Sequence, residues 1–112
     1  IVLKVIDKGT PKDIHIREGE IFLLPPKIPH SPQRGANTVG LVIEYPREKG
    51  VKDALLWFCE NCTTKLYEED FTLDNIETDM PKIFDKYYGD QDKRSCPNCG
   101  EVMQPPKKVK IE

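Results

Sequence analysis

The sequence contains no long apolar run. Nothing in its 112 residues approaches the roughly 20 consecutive apolar residues of a membrane-spanning helix, and no basic start followed by an apolar stretch marks a secretory signal, so no membrane partner is expected. Neither charge sign dominates: 17 basic residues face 19 acidic ones, a net charge of −2, and the signs are interspersed. The single basic run, KKVK at 107–110, is short. That balance excludes nucleic acid or an anionic surface as the main partner. Apolar residues are also thin, 38% against 32% charged, which suffices for one modest core and is lean for two. A staple other than apolar burial is therefore expected. Histidine occurs twice and cysteine four times.

What is present divides near residue 47. Residues 1–45 read as β throughout. IVLKVID alternates, with apolar residues at positions 1, 3 and 5, and DIHIREG is a second strand after the turn KGTPK. GEIFLLPP reads as a third strand running into Pro25 and Pro26, and TVGLVIEY as a fourth after a turn at 35–37. Short strands at this spacing predict an antiparallel sandwich or barrel. The first strand opens on Ile1, without methionine and already alternating, so it reads as cut open, and the chain is expected to lack an N-terminal part. From Pro46 the composition turns charged and loop-like, which puts a boundary between a first domain at 1–47 and a second at 48–112. In the second, KLYEEDFTL suggests a strand. In DMPKIFDKYYG, Met80, Ile83, Phe84, Tyr87 and Tyr88 recur at helical spacing, with Asp79 as N-cap, Pro81 near the first turn and Gly89 as the stop. That stripe reads as core packing.

The four cysteines form two knuckles, Cys59-Glu-Asn-Cys62 and Cys96-Pro-Asn-Cys99, separated by 33 residues. Each knuckle presents two thiolates to one ion, and two complete a tetrahedral four-sulfur shell, for which zinc and iron are both suited. Disulfides belong to secreted chains, and no secretory signal favours them here. Four sulfurs leave no open position for substrate, so the expected role is structural. This is the staple that the lean core calls for.

His30 stands in GEIFLLPPKIPHSPQR, where four prolines crowd one histidine. Gly19, Pro25 and His30 fall in register with the second motif of the cupin superfamily, G-x5-P-x-G-x2-H-x3-N; Lys27 stands at the motif's second glycine and Arg34 at its asparagine. With those two departures, the following ANTVGLVIE and the downstream pair of knuckles, the stretch resembles the 3-hydroxyanthranilate 3,4-dioxygenase family, in its bacterial and fungal form.

The resemblance implies an all-β dominated fold. Its first part would be the C-terminal portion of a cupin barrel (a double-stranded β-helix or jelly roll), and its second a small rubredoxin-like metal-knuckle region containing one helix. It implies that His30 is one of three ligands of a catalytic Fe(II), beside a histidine and a glutamate. Arg34 would hold the substrate carboxylate, and Glu44 the hydroxyl and amine side. Cys59, Cys62, Cys96 and Cys99 would hold a second ion, iron or zinc.

The implied reaction opens the ring of 3-hydroxyanthranilate with O2 to give 2-amino-3-carboxymuconate semialdehyde, on the kynurenine route from tryptophan to quinolinate and NAD. The implied setting is the cytoplasm, with room for a homodimer. The first-motif ligands have no counterpart in this chain. His15, between Ile14 and Ile16, points away from their face by alternation, so the 112 residues alone are expected to be inactive. Two rival readings are another metal-dependent cupin enzyme and a non-enzymatic rubredoxin or zinc-ribbon-like interaction module with a sheet attached.

Overall fold

The computed structural model of the chain describes residues 1–106, and the basic run at 107–110 lies outside them. The chain divides into two compact units, Ile1–Pro46 and one beginning at Arg47. The described residues are mostly strands with two helices, and no helix among them is long and apolar enough to cross a membrane.

The first unit is a three-stranded antiparallel sheet in the order β2-β1-β3, with β1 at Val2–Asp7, β2 at Thr10–His15 and β3 at His30–Gln33. Lys8 and Gly9, at φ 51° and 79°, form the whole connection between β1 and β2, because a two-residue hairpin turn needs positive φ at both central positions. The expected turn KGTPK is accordingly shorter, and Thr10, Pro11 and Lys12 already belong to β2. Pro11 is tolerated there because β2 is an edge strand. Cross-strand partners share a face, so Leu3 and Val5 lie beside Ile14 and Lys12 on one flank and beside Pro32 and His30 on the other. Leu3 and Val5 are the buried side chains of this unit.

Two of the expected strands are not formed. GEIFLLPP runs without a ladder among the described residues: Pro25 and Pro26 lack the donors that a strand needs, and Lys27 turns the chain at φ 62°. His30 therefore opens β3 and does not close a preceding strand. TVGLVIEY also carries no ladder, and Val39, Leu41, Ile43 and Tyr45 are all at least 87% exposed. Alternation creates an apolar face but does not supply a neighbouring strand, and among the described residues none pairs with this stretch.

The second unit is a β-hairpin covered by a helix. β4 at Asp53–Phe58 pairs antiparallel with β5 at Lys65–Phe71, with an irregularity between Trp57 and Phe58. α1 spans Ile76–Tyr88, and a one-turn α2 spans Gln91–Arg94, so the region contains two helices where one was expected. The short α2 escapes the helical period because four residues hold barely one turn. The N-cap of α1 is Asn75 and not Asp79: the Asn75 side chain accepts from the Glu77 N–H at 2.9 Å. Asp79 lies one turn inside and reaches back to accept from the main-chain N–H of Asp74 and Asn75 at 2.9 and 2.8 Å. Gly89 ends the helix at φ −80°, where a Cβ would sit 2.7 Å from the Asp85 carbonyl oxygen, so the need for glycine is close approach rather than left-handed backbone.

The stripe on α1 does pack as core. Ile83 and Tyr87 are buried, and the Trp57 ring stacks on Tyr87 with centroids 4.4 Å apart and planes 18° from parallel. Phe84 and Tyr88 meet the edges of the same indole, whose Nε1–H points to the Tyr88 hydroxyl at 3.4 Å.

Candidate metal centre and active-site residues

The end of β4 and the hairpin after α2 bring the four cysteines together, with all four Sγ atoms within 4.8 Å of one another. Cys59 Sγ lies 3.5 Å from Cys99 Sγ, and Cys62 Sγ 3.5 Å from Cys96 Sγ. A tetrahedron of sulfurs around an ion with bonds of about 2.3 Å has edges of about 3.8 Å, so the donor set fits one zinc or iron ion.

The two knuckles are built alike. Cys59 N–H donates to Thr64 O at 2.8 Å and Thr63 N–H to Cys59 O at 2.9 Å, while Cys96 N–H donates to Glu101 O at 2.8 Å and Gly100 N–H to Cys96 O at 3.0 Å. The residue after each second cysteine is left-handed, Thr63 at φ 65° and Gly100 at φ 83°. Glycine takes that conformation freely, whereas a β-branched threonine is strained in it, so the first knuckle holds Thr63 against its own preference. The shared spacing from the cysteines was the signal that could have found Thr63.

The thiols differ. Hydrogen bonding to Thr64, through its hydroxyl and its main chain, lowers Cys62 to about 6, with help from Asn98. Main-chain donors at Cys99 and Asn98 hold Cys96 below the usual thiol range, and burial first of all pushes Cys59 up to about 11. Cys62 Sγ lies 3.1 Å from Thr64 Oγ1 and receives Asn98 Nδ2 at 3.6 Å. Neither Thr64 nor Asn98 stands out in the sequence as anything but a knuckle neighbour.

The remaining candidates lie in the first unit. His30 opens β3 opposite Val5, exposed, with Nδ1 2.8 Å from the carbonyl oxygen of Ile28. Arg34 follows β3 directly, and Glu44 lies in the stretch 38–45, which forms no strand ladder; both are exposed. His15 sits opposite Val2, on the other face of the sheet from the Val5–His30 pair. Among the described residues the four cysteines are the one set of three or more histidine, cysteine or acidic groups placed to hold an ion, so no set of three donors gathers on His30. Beside the sheet lies a small cleft of about 170 Å³, lined chiefly by Val5, Ile14, Phe22, Leu24 and Ile28.

A family model described as 3-hydroxyanthranilic acid dioxygenase matches residues 1–88. The chain is 55% identical to the 3-hydroxyanthranilate 3,4-dioxygenase of Xanthomonas campestris pv. campestris (strain 8004) over 108 residues, which are 96% of this chain and 61% of that protein. It is 46% identical to the Candida albicans protein of the same name over 100 residues, 89% of this chain and 58% of that one. With the protein so named from Ruegeria pomeroyi it shares 45% identity over 103 residues, 91% and 57% of the two chains. The chain thus spans about three fifths of the length of the first of these relatives.

Proposed function

The chain belongs to the 3-hydroxyanthranilic acid dioxygenase family, and from that premise we propose that it forms part of a non-haem Fe(II) dioxygenase that opens the ring of 3-hydroxyanthranilate with O2. The product would be 2-amino-3-carboxymuconate semialdehyde, which feeds quinolinate and NAD synthesis. Residues 1–47 are then a portion of a cupin barrel, and residues 48–112 an extension stapled by the four-sulfur site. Free thiols serving a metal suit a reducing, cytoplasmic setting. A homodimer is compatible with this reading.

The observation that carries the proposal is His30. It opens a short strand, behind a proline-rich turn, in register with the cupin motif that gives this family an iron ligand. Its imidazole is a suitable donor for ferrous iron, and such iron needs a second histidine and a carboxylate on one face. About two fifths of the Xanthomonas campestris relative lies outside the matched residues, which leaves room for both. When bound, the iron would supply the electron chemistry that joins O2 to the ring.

The chain's own residues would do the positioning. The Arg34 guanidinium offers a planar fork to the substrate carboxylate and fixes the direction of the ring. Glu44 faces the hydroxyl and amine side and accepts the hydroxyl proton. The four-cysteine site has no open position and serves folding alone.

The interaction-module reading has one observation in its favour: the second unit carries its own core and its own four-sulfur set. A chimera separates the two readings. Residues of this chain would replace the matched 108 residues of the Xanthomonas campestris enzyme, with oxygen uptake followed on adding 3-hydroxyanthranilate. Turnover is expected in the chimera, none with His30→Ala, and none from the 112 residues alone. Arg34→Lys should keep its iron and lose about ten- to a hundredfold in kcat/KM, the equivalent of one charge-assisted hydrogen bond. Full turnover by the His30→Ala chimera would remove His30 from the site, and an inactive but folded chimera holding one metal ion per chain would favour the module.

A further inference from the structure

His30 is held by more than its place in a strand. Pro25 and Pro26 stiffen the approach, Lys27 turns at φ 62°, and the carbonyl of the following Ile28 arrives 2.8 Å from His30 Nδ1. Pro29, between them, is tied to β1 by the Ile6 N–H, which donates to its carbonyl at 3.0 Å. The turn is thus tied to β1 on its exit side, by the carbonyl of Pro29 and by the pairing of His30 with Val5. A carbonyl oxygen can only accept, so the ring nitrogen facing it must carry the proton. In a neutral imidazole that leaves the other nitrogen with the lone pair.

We propose that the main-chain carbonyl of Ile28 is a positioning group that fixes the neutral His30 ring with its proton on Nδ1 and presents Nε2 as the free donor. Metal-bound histidines commonly depend on such a partner at the far nitrogen, which sets both the tautomer and the plane of the ring. The carbonyl is in place because residue 27 is left-handed. At that position the cupin motif has glycine, which adopts positive φ without cost, whereas this chain holds a lysine there. Only the use of Nε2 toward iron rests on the proposed function; the tautomer belongs to the chain without metal.

The test is the tautomer itself. The chain would be labelled with 15N in histidine, and two-bond proton–nitrogen correlations recorded at a pH where both rings are neutral. His15, exposed at the end of β2, is the internal reference and should show the Nε2–H preference of a free side chain in water. His30 should show Nδ1 protonated and Nε2 bare. Lys27→Gly should keep that pattern, since glycine accepts the same turn. Lys27→Pro, whose ring holds φ near −65°, should displace the Ile28 carbonyl and return His30 to the pattern of His15. A His30 spectrum like that of His15 in the unaltered chain overturns the inference, as does an unchanged Nδ1–H signal in folded Lys27→Pro. If Lys27→Pro does not fold, the unaltered chain and Lys27→Gly decide between them. Full turnover by a His30→Ala chimera would defeat the ligand reading and leave the tautomer assignment standing, so the two failures are distinguishable.

Discussion

The unit that begins at Arg47 and the unit Ile1–Pro46 handle their apolar residues in opposite ways. In the former, Tyr87, Cys59, Ile83 and Cys96 are all 4% exposed or less, drawn from a strand end, a helix and a hairpin. In the latter, Leu3 and Val5 are buried on one sheet face, while Leu41, Ile43 and Tyr45 stand 87% or more exposed. Their sequences are not correspondingly different in hydrophobicity. The difference is closure: a helix lies over the β4–β5 hairpin and four thiols gather past the end of β4, whereas residues 38–45 have an apolar face with nothing from the described chain upon it. Small units need a staple because their cores bury too little. One of these two units has it.

Removing the staple is the largest expected perturbation. Structural zinc contributes on the order of 10 kcal/mol to small domains, so chelation under reducing conditions, or Cys96→Ser, should abolish amide protection across β4, β5 and α1. Residues 2–15 should keep theirs, as read by residue-resolved hydrogen exchange. Equal loss in both units would contradict their independence.

A smaller effect sharpens the same contrast within the cores. Tyr87→Ala removes a ring stacked on Trp57 and should cost about 3–5 kcal/mol, in the range of other buried aromatics. Leu41→Ala removes an exposed side chain and should change stability by no more than about 0.5 kcal/mol. Paired urea melts followed by circular dichroism would compare them. A costly Leu41→Ala would show that residues 38–45 are covered in solution.

The smallest concerns the start of α1. Hydrogen bonds from the N–H of Asn75 and then of Asp74 hold the Asp79 carboxyl below its ordinary value of 3.8. A carboxylate whose native pKa is depressed stabilises the fold above the ordinary value and loses that contribution as pH falls through the native one. Thermal stability of the second unit should therefore decline on acidification below about pH 4, and Asp79→Asn should flatten that part of the profile while lowering stability at neutral pH. An Asp79→Asn profile parallel to that of the unaltered chain would mean that the two main-chain bonds do not persist in solution.

The metal set was legible because its information is local: two cysteines three apart fix a knuckle, and Cys59, Cys62, Cys96 and Cys99 needed only the hairpin and helix to converge. The aromatic stripe of α1 was legible for the same reason, since 3.6-residue periodicity is a property of the helix itself. What misled was non-local. GEIFLLPP and TVGLVIEY carry strand-like composition, but a strand is completed by its neighbour, and neither has one among the described residues. Asp79 resembles a cap in sequence, yet Asn75 takes that place because the helix starts a turn earlier and Asp79 binds backward. His30 was singled out by spacing, but its hydrogen bond to Ile28 depends on the sign of one φ angle, which lysine does not announce.

Trp57, the single indole in the chain, lies flat on Tyr87 two residues before Cys59. The molecule therefore carries one indole emitter, and the rings that touch it, Tyr67, Phe84, Tyr87 and Tyr88, belong to the second unit. Its emission colour and quantum yield will follow the opening of the four-sulfur region and remain blind to the sheet that bears His30. A denaturation curve recorded by indole fluorescence alone would look like a single clean transition whatever the first forty-odd residues were doing.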